Sequence, residues 1–207
     1  MSRGKWIRGL LTGVVVVGGV LLLLRWMTRG DRAEVGITLA VVLLAALIHE
    51  GGHIGMARLL GVPVRGVRMG LLGARLELGG LLSYRQESLI AAAGPAVNFL
   101  TAAMLWSRVA VWDAGWGSRL CMVSVGLAAV NLLPVRGLDG GRILRCLLAS
   151  LFGVRVADGV VGVTTATCLF AAWLAFGYLL LRTGDEAGMF LFFSLMVLQA
   201  IRRGLFT

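Results

Sequence analysis

Two histidines and a glutamate stand together inside one long apolar stretch of the sequence. His49, Glu50 and His53 form an H-E-x-x-H pattern, and these are the only two histidines among the 207 residues. Residues four apart share one face of a helix, so both imidazoles could hold the same metal ion, with Glu50 beside it. Imidazole nitrogen suits Zn²⁺, and a nearby carboxylate can take a proton from a water molecule that the metal acidifies. The spacing predicts one zinc ion per chain, with Glu50 as the catalytic base.

A third protein ligand has to be a carboxylate, because catalytic zinc takes three protein ligands and the chain has no third histidine. Its three cysteines show no metal-site spacing. Asp139 best matches the two histidines in predicted membrane depth, whereas Asp158 is expected in a loop. Glu77 and Glu87 are the alternatives for the third ligand. A solvated Asp139 that merely follows the end of a helix is the other interpretation of that stretch.

The composition is typical of a polytopic membrane protein. Hydrophobic residues make up 58% of the chain, and the mean hydropathy is +0.90. The formal net charge of +10 could suggest a nucleic-acid partner. The arginines, however, stand mostly at the ends of apolar runs, where membrane anchoring explains them, so we expect no nucleic-acid binding. Ionisable residues inside an apolar run are costly unless they are paired or functional, which favours a functional role for the H-E-x-x-H pattern.

Six apolar runs predict an all-α fold with about six transmembrane helices. They lie at about residues 7–26, 35–60, 86–106, 120–131, 160–181 and 188–201. Between the second and third runs, residues 62–84 alternate polar and apolar side chains with frequent glycines, which predicts a small β-hairpin. An unpaired strand edge within residues 70–84 could hold an unwound substrate by main-chain hydrogen bonds. The alternative is that the hairpin is only a short amphipathic connector at the membrane interface.

The runs divide the chain into three predicted parts. Residues 1–34 form an N-terminal transmembrane helix and loop, residues 35–151 a catalytic core, and residues 152–207 two C-terminal transmembrane helices. With six spans, most of the 20 lysines and arginines fall on the same side as the N-terminus. The positive-inside rule therefore predicts a cytoplasmic N-terminus, with the H-E-x-x-H pattern and Asp139 both towards the cytoplasmic side.

Two further stretches place polar or helix-breaking residues within apolar runs. Residues 94–98 read GPAVN, where a proline frees a backbone carbonyl and Asn98 needs a partner. Pro134, followed by several glycines, predicts an interrupted helix, which a membrane tolerates only where the backbone lines a cavity or is buried in protein. Gly94, Asn98, Asn131 and Pro134 are therefore candidates for holding substrate or supporting the ligands. Both asparagines could instead be helix-packing amides.

Taken together, three motifs resemble those of the site-2 protease family of intramembrane zinc metalloproteases. They are HEGGH at residues 49–53, GPAVN at 94–98, and NLLP at 131–134 running into LDGG at 138–141. Their compact arrangement is most similar to the stage IV sporulation protein FB branch. The matching part covers about residues 35–143, and the terminal helices carry no signature.

This resemblance implies a three-helix catalytic core with zinc on His49, His53 and Asp139, Glu50 as general base, and Asn131 near the substrate. It implies a membrane-embedded or membrane-tethered protein substrate, a sigma-factor precursor in the sporulation branch, and a membrane regulatory protein as a further partner. The expected location is a bacterial cell membrane, with the lipid bilayer as surroundings. Two departures are expected, since neither a PDZ-like domain nor a CBS domain is present. A metal carrier or non-catalytic scaffold is the alternative function.

Overall fold

The computed structural model describes residues 32–70, 73–106 and 115–183, together with positions 194 and 197. The described part consists of α1 (Arg32–Leu59), β1 (Val64–Gly70), β2 (Gly73–Leu78), α2 (Tyr84–Trp106), α3 (Trp116–Asn131), α4 (Asp139–Phe152) and α5 (Val154–Thr183). The first predicted run, at about residues 7–26, lies outside the described residues, and so does the run at 188–201 apart from the two isolated positions.

Three helices of the described part are long and apolar enough to cross a membrane. Their candidate spans are Gly36–Leu59 in α1, Tyr84–Trp106 in α2 and Val154–Arg182 in α5. Helix α3 has 16 residues, which at a rise of about 1.5 Å per residue is shorter than a hydrocarbon core of about 30 Å. The mostly helical fold is confirmed, with three candidate membrane spans among the described residues, whereas the number of six spans stays a prediction.

Helix α2 occupies the centre of the described part. It packs against α1, α3 and α4, and α4 packs in turn against α5. Small residues let α1 and α2 approach closely: a Cβ atom added to Gly52 would lie 2.6 Å from the Ala93 carbonyl oxygen. Such close backbone contact is a common way for helices to associate in a membrane, where burial of apolar surface supplies little driving force. This contact fixes the H-E-x-x-H stretch of α1 against the Gly-Pro stretch of α2.

The two strands form the predicted hairpin between α1 and α2. They pair antiparallel from Val64 with Leu78 to Gly70 with Gly73, with an irregularity near the open end. Ala57, Val62 and Ile90 form a buried cluster against which Val64 and Leu78 pack. The hairpin is therefore confirmed, and its open end is anchored on α1 and α2. The predicted substrate edge was placed within residues 70–84, but residues 79–83 do not form a strand. Among the described residues, the strand that could provide this edge is therefore β2.

A compact loop separates α3 from α4, as the proline and glycines predict. Helix α3 ends at Asn131 and α4 begins at Asp139. Gly140 and Gly141 lie so close to this loop that an added Cβ atom would overlap its carbonyl groups, and Gly137 has a left-handed φ of 110°. The glycines thus let the loop fold back onto the first turn of α4, which positions Asp139.

One boundary differs clearly from the sequence-based expectation. Asp158 was expected in a loop before a helix at about residue 160, but α5 already begins at Val154. The Asp158 carboxylate accepts a 2.7 Å hydrogen bond from Nε of Arg145 on α4. This ion pair joins α4 and α5 close to the turn between them. It stabilises the charged side chain of Asp158 near the start of α5.

Candidate metal centre

Three candidate ligand atoms from two helices meet at one point. His49 and His53 stand one turn apart on α1, and Asp139 is the first residue of α4. His49 Nε2 lies 3.0 Å from Asp139 Oδ2, His53 Nε2 lies 3.3 Å from the same oxygen, and the two Nε2 atoms are 3.2 Å apart. All three residues are at least nine-tenths buried. The structure brings together the three predicted ligands, and the solvated interpretation of Asp139 is wrong.

The donor set fits a zinc ion. Two imidazole nitrogens and one carboxylate oxygen are a set that catalytic zinc uses, with a fourth position left open. Ligand bonds of about 2.0–2.2 Å in a tetrahedral site separate neighbouring ligand atoms by roughly 3.3–3.6 Å, only slightly more than observed here. Two Nε2 atoms that face each other at 3.2 Å can share a single proton, whereas a cation would satisfy all three atoms at once. Their arrangement therefore suits a shared metal ion better than a hydrogen-bonded cluster.

Glu50 lies beside these atoms. One potential ligand atom from each of His49, Glu50 and His53 lies within 4.8 Å of the other two. Both histidines are buried, whereas Glu50 is half-buried. A separation of this size leaves room for one water molecule hydrogen-bonded on both sides. This is the position that a base needs to take a proton from a water molecule held at the metal centre.

The second nitrogen of each imidazole also has a neighbour. His53 Nδ1 lies 2.7 Å from the Ile90 carbonyl oxygen, to which it donates, so its Nε2 is left free to bind a metal. His49 Nδ1 lies 3.4 Å from Nδ2 of the fully buried Asn98, and Asn98 Oδ1 has no hydrogen-bond partner among the described residues. Turning the amide over would let Oδ1 accept from His49 Nδ1–H. Asn98 thus stands where residues that orient metal-binding histidines are found.

Gly94 forms part of the wall of the centre. A Cβ atom at this position would overlap the His53 ring and lie 2.9 Å from His49 Cε1. Any larger residue would push the two imidazoles apart, because the neighbouring α2 backbone is itself packed against α1. Gly94, a sequence-predicted candidate for holding substrate or supporting the ligands, therefore acts through the space that it leaves.

Two threonines of α5 hold the loop that leads to Asp139. Thr164 Oγ1 donates to the Pro134 carbonyl oxygen at 2.7 Å, and the Arg136 N–H donates to Thr165 Oγ1 at 2.7 Å. Thr165 is buried and donates in turn to the Val161 carbonyl oxygen at 2.6 Å. Sequence reasoning missed this function of α5, for which a pair of hydroxyl residues inside an apolar run was the available signal.

The remaining candidates have other partners in the structure. Asn131 donates to the Leu127 carbonyl oxygen of its own helix at 2.9 Å, as a helix-packing amide does. Glu87 lies 3.7 Å from Arg142, and Glu77 lies on β2 opposite Gly66. The structure thus draws neither alternative third ligand into the contacts that join the histidines to the aspartate.

The cysteines do not form a second metal site within the described residues. All three thiols are free, and two of them are buried. Burial raises the pKa of Cys146 on α4, which favours its neutral thiol over the thiolate.

Proteins that are similar to this chain in sequence are named as zinc metalloproteases. Residues 110–174, which include Asp139, match the family model of Peptidase family M50. Zinc metalloprotease Rip3 of Mycobacterium tuberculosis is 33% identical over 174 residues, which are 77% of this chain and 42% of Rip3. Zinc metalloprotease Rip2 of Mycolicibacterium smegmatis is 28% identical over 170 residues, which are 63% of this chain and 66% of Rip2. The comparisons support the peptidase M50, or site-2 protease, family.

The fold agrees with this family. The solved structure of Site-2 Protease from Methanocaldococcus jannaschii superposes with a TM-score of 0.64 at 23% identity, over 93% of this chain and 87% of that one. The chain spans less than half the length of Rip3, so the peptidase M50 relatives contain regions that have no counterpart in the match.

The threonine contacts yield a prediction about zinc affinity. Thr165→Val should weaken zinc binding roughly 5- to 150-fold, because it leaves the partly buried Arg136 N–H without its acceptor at a cost of about 1–3 kcal/mol. Thr165→Ser keeps the hydroxyl and should bind zinc nearly as well as the wild type. The dissociation constant is measured by competition with a chelator on purified protein.

Thr167 provides the matched control, because it is exposed and its hydroxyl bonds only to Val163 of its own helix. Thr167→Val should bind zinc with wild-type affinity. Wild-type affinity in Thr165→Val as well would contradict a positioning role for α5.

Proposed function

We propose that the chain is a zinc-dependent intramembrane endopeptidase that cleaves a membrane-embedded or membrane-tethered protein. The observation that carries this proposal is the buried contact among His49, His53 and Asp139, with Glu50 beside it, next to helices long enough to span a membrane. In this proposal the three residues hold one zinc ion. The names of the relatives and the fold shared with a site-2 protease support it.

The residues of the centre divide the chemistry between them. Bound zinc supplies Lewis acidity, which acidifies a water molecule and polarises a peptide carbonyl. Glu50 takes the proton of the attacking water and passes it to the nitrogen of the leaving amine. The Ile90 carbonyl and Asn98 keep the imidazole rings in the orientation that the ligand set requires.

The substrate has to be unwound where it is cut. A helix keeps its carbonyl groups engaged in its own hydrogen bonds, so the segment at the centre must be extended and its freed N–H and C=O groups satisfied inside the protein. Strand β2 has β1 as its partner on one side within the described residues, and its other edge offers main-chain groups for strand addition. Asn131 and Pro134 are the further candidates for contacts with the substrate backbone.

The proposal also covers organisation and orientation. Residues 35–151 would form the catalytic core, and the N-terminus would lie in the cytoplasm of a bacterial cell, with the centre towards the cytoplasmic face. Two finer proposals, a sigma-factor precursor as the substrate and membership in the sporulation branch, rest only on the compact arrangement of the motifs. The names of Rip3 and Rip2 mention neither.

Replacing the base tests the proposed activity. Glu50→Gln should retain zinc and fold but lower cleavage by at least about 100-fold, because an amide cannot accept the proton of water. Cleavage is measured by co-expression with candidate membrane-tethered substrates, and zinc content is measured on the purified proteins. Retained turnover would remove Glu50 from the mechanism. Zinc binding without cleavage of any candidate by the wild type would favour a carrier or scaffold.

Chemical labelling tests the orientation. On a background without cysteines, Asp185→Cys should react with a membrane-impermeant maleimide added to intact cells. Arg155→Cys, at the exposed start of α5, should react only after permeabilisation. The reverse pattern would overturn the cytoplasmic placement of the centre.

Proline substitution tests main-chain binding along β2. Proline is introduced in turn at Ala74, Leu76 and Leu78. Where the proline removes an N–H group of the strand edge, cleavage should fall by about 10-fold or more while the zinc content stays normal. Ala74→Ser is the control, because it changes the side chain but keeps the N–H. Wild-type cleavage in all three proline variants would rule out edge pairing and make Asn131 the leading candidate.

A further inference from the structure

A cavity lies next to the candidate metal centre, since Arg142, one of its lining residues, stands 3.9 Å from Asp139. It has a volume of about 390 Å³ and is lined by β2 and the segment after it, the first turn of α2, the loop before α4, α4 itself and α5. Leu76, Leu78 and Leu82 form its apolar wall. All these elements meet at the hairpin end of the candidate spans, so the cavity lies towards one membrane face and not at mid-depth.

The opposite wall of the cavity is strongly basic. Arg136, Arg142 and Arg145 line it together with a single acidic residue, Glu87. Arg145 is engaged by a 2.7 Å hydrogen bond to Asp158, and the Arg136 guanidinium donates to a backbone carbonyl of α5 at 2.8 Å. The positive charge of this wall thus exceeds the negative charge of the carboxylate that shares it.

Arg142 is the guanidinium that these contacts hold most loosely. Its Nε lies 3.7 Å from Glu87 Oε1, and its Nη1 lies 3.9 Å from Asp139 Oδ1. Both distances are too long for hydrogen bonds, which need about 2.7–3.2 Å. A guanidinium binds a carboxylate best through two parallel hydrogen bonds, and neither neighbour provides them. Arg142 can therefore donate hydrogen bonds to a further carboxylate.

The cavity also lies along the path of an extended substrate. Its apolar wall includes Leu76 and Leu78 of β2, the strand proposed to pair with the substrate, while Arg142 stands one turn after the ligand Asp139. An extended chain advances about 3.3 Å per residue. A side chain that reaches Arg142 would therefore belong to a residue within about three positions of the cleaved bond.

We propose that this cavity binds an acidic side chain of the substrate, with Arg142 as its principal partner and the leucines packed against its methylene groups. The proposal rests on the endopeptidase function. It makes Arg142 a specificity-determining residue, because the flank of a membrane segment on the cytoplasmic side usually carries lysine and arginine. An acidic residue there would distinguish the substrate from most other membrane segments.

A substrate library tests the proposal whatever the natural substrate is. Single-span segments with randomised residues near one membrane face, fused to a reporter that cleavage releases, are co-expressed with the wild type. Aspartate or glutamate should be enriched among cleaved segments at one position close to the cleaved bond. Changing that glutamate to glutamine in one selected segment should lower kcat/KM roughly 10- to 100-fold with the wild-type enzyme.

Variants of the enzyme assign this preference to the cavity. Arg142→Gln should lose the acidic preference, and Arg142→Glu should replace it with a preference for lysine or arginine. Arg155→Gln removes an exposed positive charge near the start of α5 and should keep the acidic preference. Zinc content is measured for each variant, and the substrate series with the wild-type enzyme decides the matter if Arg142 variants lose zinc.

The outcomes separate this proposal from the function on which it rests. Failure of the wild type to cleave any library member overturns both. Cleavage that Glu50→Gln abolishes, but that shows no acidic preference, overturns only the cavity proposal, as does a preference that survives Arg142→Gln. Cleavage that depends on phosphatidylglycerol in vesicles otherwise made of phosphatidylcholine, and not on substrate charge, would assign the cavity to a lipid phosphate instead.

Discussion

Holding two imidazoles and a carboxylate within 3.3 Å of one another in a buried site is the constraint on which the rest of the structure depends. Three electron-pair donors at this distance repel one another unless a proton or a cation lies between them, and burial removes the water that would otherwise screen them. The arrangement is therefore maintained by the surrounding helices and suits a cation that binds all three atoms. Its cost is consistent with the general observation that ionisable groups inside membrane segments are functional.

Small residues and backbone contacts bring the ligands together. Gly94 leaves the space that the two imidazoles occupy, and Gly52 allows α1 and α2 to approach each other. On the other side, Gly140 and Gly141 let the loop before α4 fold against its first turn, while Thr164 and Thr165 hold that loop from α5. The ligands thus come from α1 and α4, but their positions depend also on α2 and α5.

Sequence reasoning could identify features that depend on local residue spacing or on the small number of suitable acidic residues. The H-E-x-x-H pattern predicts two ligands on one helix face, and the small number of acidic residues at suitable depth favours Asp139. The hairpin and the broken helix follow from glycine and proline positions. These features are local, so the pattern of the sequence is sufficient to indicate them.

Contacts between distant segments could not be predicted in the same way. The space left by Gly94 depends on how α1 packs against α2, and the bond between Thr165 and the loop joins residues 29 positions apart. Asp158 was misplaced because its partner, Arg145, lies on another helix. The basic cavity likewise combines residues from five elements, so its charge is not apparent from any one stretch.

X-ray absorption at the zinc edge tests the proposed ligand set most directly. Purified protein loaded with one equivalent of zinc should show two imidazole ligands at about 2.0–2.1 Å with oxygen ligands completing a four-coordinate site, and no sulfur scattering near 2.3 Å. In Asp139→Ala the oxygen contribution should change and the zinc affinity should fall. A spectrum with sulfur ligands, or with fewer than two imidazoles in the wild type, would contradict zinc binding by His49, His53 and Asp139.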